Sequence, residues 1–504
     1  MSAAVTSPHG AVLVCGSASG VGKSTVVAAL CRSFARQGSF AAPFKAQNMS
    51  NHAAVAADGG EVGRAQAMQA AAAGVDVETA MNPILLKPSG ERTSHVVVLG
   101  RELDTTDAAG WGLRTDALRS VVTDSFASLR ERFDVVVAEG AGGAAEINLL
   151  ERDLVNLPLA AATGTPVLLV VDIDRGGAFA SAHGTIDLVP DHLRATIGGI
   201  VFNRFRGDPS LLDPGIRDLE ARTGVPVLGV LPHLGDTPLL GVEDSLDVSG
   251  AVSATRSRDP IRIAAIRFPH LSNPSDFDPL IVEADVDFWW ADRGADLNGA
   301  DVVILPGSRA TLRDLDWMYD RGFEDRLIAP DGDLVGICAG QQMLGDTIVD
   351  HHESGLGTAV GLGVTPLVTE FGADKVVRRR SGEVSGHPVH GYQIHAGRTP
   401  AGDTPWVRFD DGHGSESDGF VHPNGRVHTT SLHGIFDDDA FRTAFLTDVA
   451  HRRGRTYDPA PRPFAVEMTR QHDRLADWID EFLDVDAVRT LASTAAPPGG
   501  GPGW

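Results

Sequence analysis

Short apolar runs alternate with helix-like stretches through the first half of the chain, from Ala11 to about Pro232. The runs read "AVLVC", "FAAPFKA", "HVVVLG", "DVVVAEG", "PVLLVVD", "IGGIVFN" and "PVLGVLP". Between them, stretches such as Ser24–Gln37, Arg114–Arg132 and Pro214–Thr223 carry apolar residues at helical spacing. Strands that are apolar throughout are covered on both faces, as in a parallel sheet between two layers of helices. The pattern predicts a doubly wound α/β domain.

A polar segment, "SGAVSATRSRD", interrupts this alternation, which restarts at "IRIAAIRF" and continues through "ADVVILPG" and "DLVGICAG". Later strand candidates are "HGYQIHAGR" and "GRVHTTSLHG", followed by a helix around Asp439–Arg452. We therefore expect two α/β domains. The predicted boundaries are a first domain at 1–248, a linker at 249–259, a second domain at 260–452, a helical extension at 453–490 and a disordered tail at 491–504.

Composition supports this organisation and excludes some partners. A chain of 504 residues is too long for one core, and 42% hydrophobic residues suffice for globular folding. The net charge of −24 argues against a nucleic acid or an anionic membrane as partner, although a local basic pocket could still bind ATP. No leader or membrane-length apolar run is visible, and three scattered cysteines form no disulfide framework. We expect a soluble, cytoplasmic protein, and the sequence does not indicate its oligomeric state.

The segment "GSASGVGKST" (16–25) follows a predicted strand and opens a predicted helix, as a phosphate-binding loop does. In such a loop, backbone N–H groups surround phosphate oxygens, a lysine reaches the β- and γ-phosphates and a hydroxyl binds Mg²⁺. Gly16 and Gly22 are separated by five residues rather than the common four. The alternative is a Gly/Ser-rich turn before an ordinary helix. The predicted nucleotide-binding residues are Gly16, Gly20, Gly22, Lys23, Ser24, Thr25 and, at the end of a later strand, Asn203.

Acidic and basic side chains collect at the ends of predicted strands. Glu139 ends "VVVAEGAGG", where ligands of open α/β sheets bind, so we expect it to join Ser24 in holding Mg²⁺. Asp172 and Asp174 end another strand in "VVDIDRGG". Several cations occupy similar positions and would suit a substrate with several carboxylates, although each could instead be an ordinary surface cation. They are Lys45, Lys87, Arg92, Arg175, Arg204 and Arg206.

The segment "GICAG" places Cys338 between a strand and a helix, as in a nucleophile elbow. Small flanking residues permit the strained turn, and the helix N-terminus favours the thiolate. The alternative is a buried structural cysteine. A nucleophile also needs a base and oxyanion donors. We assign the base to His433 in "SLHGIF", with His390 and His395 as competitors, and the donors to the N–H groups of Gly307, in "LPGSRAT", and Ala339.

These motifs together resemble a known family. The second half is similar to class I glutamine amidotransferase domains, through "LPGS", "GICAGQQMLG" and "SLHG", and the first half to P-loop folds of the dethiobiotin synthetase type. With "PFKAQNMSNH", "EVGRAQAMQA", "MNPILLKPSG", "AEINLLERDLVN", "DIDRGG", "FRGDPSLL" and "SNPSDFDPL", residues 10–450 resemble the cobyric acid synthase family. The resemblance implies a P-loop NTPase-like parallel sheet followed by a flavodoxin-like domain.

The resemblance also implies a reaction. Glutamine is hydrolysed at Cys338, and the ammonia passes to the first domain. There ATP phosphorylates a corrin carboxylate, and ammonia displaces the phosphate. The family acts on carboxylates b, d, e and g of adenosylcobyrinic acid a,c-diamide. The implied cofactors are ATP and Mg²⁺, and the implied partners are L-glutamine and a corrinoid polycarboxylate.

The chain departs from the class I pattern at two places. The acid that usually lies two residues after the histidine is replaced by Ile435, so no third triad member is assigned. Ala339-Gly340-Gln341 replaces the more frequent Gly-Gly-Tyr, which leaves the Ala339 N–H in place. Rival interpretations are an a,c-diamide synthase, a P-loop switch ATPase with an inactive amidotransferase module, and a biotin-pathway ligase. The switch is disfavoured because Gly16–Val21 contains no lysine, and the biotin-pathway ligase because it would not need Cys338.

Overall fold

A computed structural model describes residues 9–88, 93–235, 257, 259–328, 330–410, 415–497 and 504. The chain divides into two compact units. The first unit consists of Met1–Ser50, Ala56–Ser245 and Thr469–Trp504, and the second of Asn51–Val55 and Leu246–Met468. Among the described helices, none combines the length and apolar character needed to cross a membrane.

Strands and α-helices alternate along most of the chain. The strands up to residue 232 are β1 Gly10–Gly16, β2 Ala41–Phe44, β3 Gln47–Met49, β4 Ala53–Val55, β5 Glu61–Gly63, β6 Ile84–Pro88, β7 Thr93–Val98, β8 Arg101–Asp107, β9 Val135–Glu139, β10 Val167–Asp172, β11 Ile197–Phe205 and β12 Val227–Pro232. The helices in this range are α1 Lys23–Arg36, α2 Arg64–Ala73, α3 Ala108–Arg132, α4 Leu157–Thr163, α5 Ala178–Leu188, α6 Asp191–Arg194 and α7 Asp213–Thr223.

The later strands are β13 Ile261–Ile266, β14 Leu271–Ser272, β15 Val286–Ala291, β16 Val302–Leu305, β17 Gly307–Ser308, β18 Asp333–Ile337, β19 Thr347–Asp350, β20 Gly357–Val360, β21 Val368–Val384, β22 His387–Arg398, β23 Val407–Asp410, β24 Ser415–Asp418, β25 Phe420–Val421 and β26 Val427–Thr430. The later helices are α8 Asp278–Ile281, α9 Thr311–Asp320, α10 Glu324–Ile328, α11 Ala339–Leu344, α12 Asp439–Arg452, α13 Phe464–Phe482 and α14 Val485–Ser493.

A six-stranded parallel sheet in the order β12-β11-β10-β1-β9-β2 organises the first unit. Its central strands β1 and β9 are buried at every residue except Gly10, as their continuous apolar runs require. Val14 of β1 lies opposite Glu139 of β9. The loop that follows β1 and the end of β9 therefore meet at the same edge of the sheet, which is where ligands of such sheets bind.

The run "HVVVLG" belongs to a different sheet, so its assignment to the parallel sheet was wrong. Strands β3, β6, β7 and β8 form a second sheet in which β7 is antiparallel to both neighbours. The physical reason is the two-residue turn at Leu99 and Gly100, which both have positive φ. A turn this short joins only antiparallel strands.

The C-terminal helices α13 and α14 complete the core of the first unit. Buried side chains from both helices and from the turn between them pack with α1 and the parallel sheet, namely Leu475, Trp478, Ile479, Leu483, Val485, Val488 and Ala492. We expected a disordered tail from residue 491, but α14 continues to Ser493 because Ala492 is buried. The Ala496 N–H then donates to the Gly164 carbonyl at 2.9 Å. Residues 498–503 lie outside the described residues.

The second unit has a sheet in the order β15-β13-β16-β18-β26-β25, parallel except for its last pair. The neighbouring strands β16, β18 and β26 end just before Gly307, Cys338 and His433, respectively. Their carboxyl ends lie at one edge, which brings these three predicted site residues together. A second sheet, β20-β19-β21-β23-β24, carries the long β22 on β21.

Candidate active sites

The ammonium group of Lys23 is held between the loop that joins β1 to α1 and the turn that follows β9. Lys23 is the first residue of α1, and its Nζ donates to the carbonyls of Ala18 at 3.1 Å and Gly142 at 2.9 Å. The side chain is only 7% exposed. Burial is the main cause that lowers the pKa of Lys23, against the opposing effect of the Glu139 charge. The lysine is thus fixed against segment 16–25, which the sequence predicted to hold phosphate and which is called the Lys23 loop below.

Asn203 and two glycines fix the shape of this loop. Gly20 and Gly22 have φ values of 67° and 92°, which favour glycine. A Cβ on Gly22 would also lie 2.3 Å from the Asn203 amide nitrogen. That nitrogen donates to the Val21 carbonyl at 2.8 Å, so the residue at the carboxyl side of β11 holds the loop by its backbone. The remaining loop residues of the prediction, Gly16, Ser24 and Thr25, lie at the end of β1 and in the first turn of α1.

Glu139 is the centre of a buried polar cluster beside the loop. Its Oε1 accepts from Ser24 Oγ and from Lys45 Nζ, both at 2.8 Å, and its Oε2 accepts from Gln69 Nε2 at 2.6 Å. Burial alone would raise the pKa of Glu139, but the charge of Lys45 and these hydrogen bonds outweigh it and keep the pKa below its ordinary value. Glu139 is therefore a carboxylate, adjacent to a hydroxyl, as a Mg²⁺ site requires.

The sequence did not indicate the residues that support the glycine-rich turn after Glu139. Asn156 accepts from the Ala141 N–H at 3.1 Å and donates to the Ala141 carbonyl at 2.8 Å. Asp153 in turn accepts from the Asn156 side chain at 2.9 Å. Both belong to the "ERDLVN" part of a motif that carried the resemblance, so the signal was present but had no assigned role.

The predicted substrate-binding cations that the structure describes pair with several different carboxylates. Lys45 lies in the Glu139 cluster, whereas Lys87 forms a fully buried ion pair with Glu61. Three others are near the aspartates of "VVDIDRGG", with contacts of Arg204 to Asp172 at 2.9 Å, Arg206 to Asp174 at 3.2 Å and Arg175 to Asp172 at 3.9 Å. Arg92 lies outside the described residues. Asp172 and Asp174 thus serve as partners of arginines.

Cys338 occupies a strained turn between β18 and α11. Its φ and ψ are 52° and −108°, a conformation rare for a residue with a side chain. The turn packs so closely that a Cβ on Gly340 would lie 2.0 Å from the Leu305 carbonyl oxygen. Cys15 and Cys31 differ from it, because both are completely buried and burial raises the pKa of each thiol far above its ordinary value. Only Cys338 has the geometry of an elbow nucleophile.

His433 faces this thiol and is held by a carboxylate that the sequence did not assign. Its Nδ1 lies 2.7 Å from Asp276 Oδ2, and the Asp276 Oδ1 accepts from the Gly434 N–H at 3.0 Å. Burial lowers the pKa of His433, but the charges of Asp276 and Cys338 and its hydrogen bonds to both raise it to about 10. Tyr392 stacks on the imidazole with ring centroids 5.2 Å apart. The histidine is therefore a strong, oriented base beside the thiol.

The competing histidines have other environments. His390 is largely exposed and pairs with Asp438 at 3.0 Å. His395 directs Nδ1 to the Gly397 carbonyl at 2.7 Å, and burial lowers its pKa, which favours the neutral ring.

The two predicted oxyanion donors both lie beside this pair. A Cβ on Gly307 would lie 2.9 Å from the His433 Cε1, and Ala339 directly follows Cys338 as the first residue of α11. The Gly340 N–H donates to the Pro306 carbonyl at 3.1 Å, which ties the two segments together.

Comparison with protein families matches each half of the chain separately. Residues 12–240 match the family described as the CobQ/CobB/MinD/ParA nucleotide binding domain. Residues 262–441 match the family described as the CobB/CobQ-like glutamine amidotransferase domain. The first match contains the Lys23 loop and Glu139, and the second contains Cys338 and His433.

Comparison with curated proteins gives relatives of nearly equal length. A cobyric acid synthase of Rhodococcus jostii is 45% identical over 501 residues, covering 97% of both chains. One of Nocardia farcinica is 44% identical over 97% of this chain and 98% of its own. One of Streptomyces coelicolor is 44% identical, again with 97% of this chain and 98% of its own.

Proposed function

The chain belongs to the cobyric acid synthase family, and we propose that it converts corrinoid carboxylates to amides with ATP and with ammonia released from glutamine. The substrate is adenosylcobyrinic acid a,c-diamide, and the carboxylates are b, d, e and g. The observation that carries the proposal is that one chain contains both the Lys23 loop beside Glu139 and the Cys338–His433 pair. Relatives that cover 97% of the chain support it.

The nucleotide site requires a cation for the phosphates and oxygen ligands for a metal. Lys23 would bind the β- and γ-phosphates, in place of its present contacts with loop carbonyls. The Ser24 hydroxyl and the Glu139 carboxylate, 2.8 Å apart, are the hard oxygen donors that Mg²⁺ prefers. When bound, Mg²⁺ supplies positive charge that offsets the charge developing on the transferred phosphoryl group. Lys45, which now contacts Glu139, would bind the carboxylate that accepts this group.

Phosphorylation converts the carboxylate, whose oxygen is a poor leaving group, into an acyl phosphate, whose phosphate leaves readily. A carboxylate oxygen of the corrinoid attacks the γ-phosphorus, the bond to ADP breaks, and an acyl phosphate forms. The nitrogen lone pair of ammonia then attacks the acyl carbon, and inorganic phosphate leaves with the bonding electrons. Ammonia must be unprotonated for this attack, which favours a protected source over bulk ammonium.

Cys338 and His433 supply that ammonia. The imidazole takes the thiol proton, the thiolate attacks the glutamine amide carbon, and the N–H groups of Gly307 and Ala339 stabilise the oxyanion. The protonated imidazole then donates to the leaving nitrogen, and water hydrolyses the thioester to glutamate. Residues 1–248 carry the synthase chemistry in this proposal and residues 260–452 the glutaminase chemistry, on either side of the linker at 249–259.

A time course of corrinoid products tests the substrate assignment. Purified protein is incubated with ATP, glutamine and adenosylcobyrinic acid a,c-diamide, and products are followed by mass spectrometry. Because each turnover converts one carboxylate, we expect a ladder that ends at four added amides. A ladder that begins on cobyrinic acid and stops after two amides would identify an a,c-diamide synthase instead. Glutaminase activity without any corrinoid amidation would overturn the substrate class.

A further inference from the structure

One short segment before α8, "NPSD" at 273–276, contacts both nitrogens of the His433 imidazole. Asp276 lies 2.7 Å from Nδ1, and the Asn273 amide nitrogen lies 3.3 Å from Nε2. All three side chains are at most 4% exposed. Their interactions are therefore little screened by water. Asp276 is 157 residues away from His433 in sequence.

The hydrogen bonds of this segment specify where the imidazole carries its proton. The Asn273 Oδ1 accepts from the Ala53 N–H at 3.3 Å, which turns its amide nitrogen towards Nε2. In the neutral form of the ring Nε2 is the acceptor, so the proton is on Nδ1 and is donated to Asp276. This is the tautomer that a general base needs, because the lone pair that takes the thiol proton is then on Nε2.

We propose that Asp276 is the positioning carboxylate of the glutaminase site, in the role that class I enzymes usually give to an acid two residues after the histidine. That position holds Ile435, which is completely buried in the apolar core and cannot act. Asp276 instead approaches Nδ1 from the segment that follows β14, whereas Ile435 follows β26. It fixes the tautomer and stabilises the imidazolium that forms when Cys338 loses its proton. The inference rests on the proposed glutaminase function of Cys338 and His433.

A merely structural role is the alternative, since Asp276 also accepts from the Gly434 N–H. Alkylation of Cys338 by iodoacetamide distinguishes the two, because its rate against pH reports when the thiolate forms and requires no substrate. Asp276→Asn removes the charge that stabilises the imidazolium, so we expect the alkylation midpoint to rise by about one to two pH units. In His433→Ala no imidazolium can form, so the alkylation midpoint of that variant is the upper limit for the midpoint of Asp276→Asn. The labelled peptide is identified by mass spectrometry.

Kinetics provide the second readout. In Asp276→Asn we expect glutaminase kcat to fall by about 100-fold or more with little change in KM, by analogy with loss of the tautomer-fixing aspartate in serine proteases. Ammonia-dependent amidation should stay at the wild-type rate, which verifies folding. Asp278→Asn is the matched control, since it removes a buried carboxylate two residues later, at the first residue of α8, and should keep both the alkylation profile and kcat.

The outcomes separate this proposal from the proposed function. If Asp276→Asn kept the wild-type alkylation profile and kcat, the role of Asp276 would be overturned. Changes in Asp278→Asn as large as those in Asp276→Asn would overturn it as well. A wild-type protein without glutaminase activity, but with a midpoint that Asp276→Asn shifts, would refute the proposed function and still support the role of Asp276 towards the thiol–imidazole pair.

Discussion

At the scale of single residues, Cys338 has one task, the release of ammonia. Cys338→Ala should therefore abolish glutamine-dependent amidation and retain amidation with high ammonium at alkaline pH, where free ammonia is present. His433→Ala should behave similarly, since the thiol then lacks its base. Product formation with each nitrogen source is the measurement. Cys31→Ala is the matched control, because that thiol is buried in α1 and should leave both reactions intact. Glutamine use by Cys338→Ala would contradict the assignment.

Lys23 and Glu139 act on the nucleotide, so their replacement should affect both nitrogen sources equally. Lys23→Ala removes the charge that stabilises the transferred phosphoryl group, a contact worth about 3 kcal/mol or more in a transition state. We expect amidation to fall by at least about 100-fold, and Glu139→Gln to have a comparable effect. Ammonia-dependent amidation is measured, with alkylation of Cys338 as the check that the second unit is intact. Near-normal rates in both variants would place the nucleotide site elsewhere.

At the scale of elements, the C-terminal helices stabilise a unit whose other residues end at Ser245, more than two hundred positions earlier. Truncation after Met468 removes most of α13 and all of α14, and with them seven buried apolar side chains. Burial of each of the six larger side chains contributes roughly 1.5–3 kcal/mol, and the sum of about 9–18 kcal/mol is as large as the usual stability of about 5–15 kcal/mol. We expect the first unit to lose nucleotide binding and its thermal transition, while the second unit keeps a reactive Cys338.

The control for this truncation is removal of residues 498–504 alone. It leaves α14 complete and should preserve both thermal transitions. Calorimetry and nucleotide binding measure the difference between the two truncations. A truncation after Met468 that still binds nucleotide would mean that the helices are dispensable for the first unit.

Across the whole molecule, the features that could be predicted are those that depend on residues close together in the sequence. The Lys23 loop and the Cys338 elbow each need only a strand, a glycine-rich turn and a helix in succession, so their local patterns were sufficient. Contacts between distant segments were not predictable in this way. Asp276 reaches His433 only because β26 ends beside the segment that follows β14. The contact between Asp172 and Arg204 was likewise not predictable, since the two residues come together only through the alignment of β10 with β11.

The chain passes from one compact unit to the other after Ser50, Val55, Ser245 and Met468. Strand β4 of the second unit is thus encoded within the first half of the gene, and two helices of the first unit at its far end. Recombination at the linker would therefore not transfer either compact unit as a whole. A gene split there would yield two polypeptides that each lack part of their own fold and carry part of the other. We therefore expect the gene of such an enzyme to be kept as one continuous reading frame. Its two halves should not be exchangeable with those of other proteins.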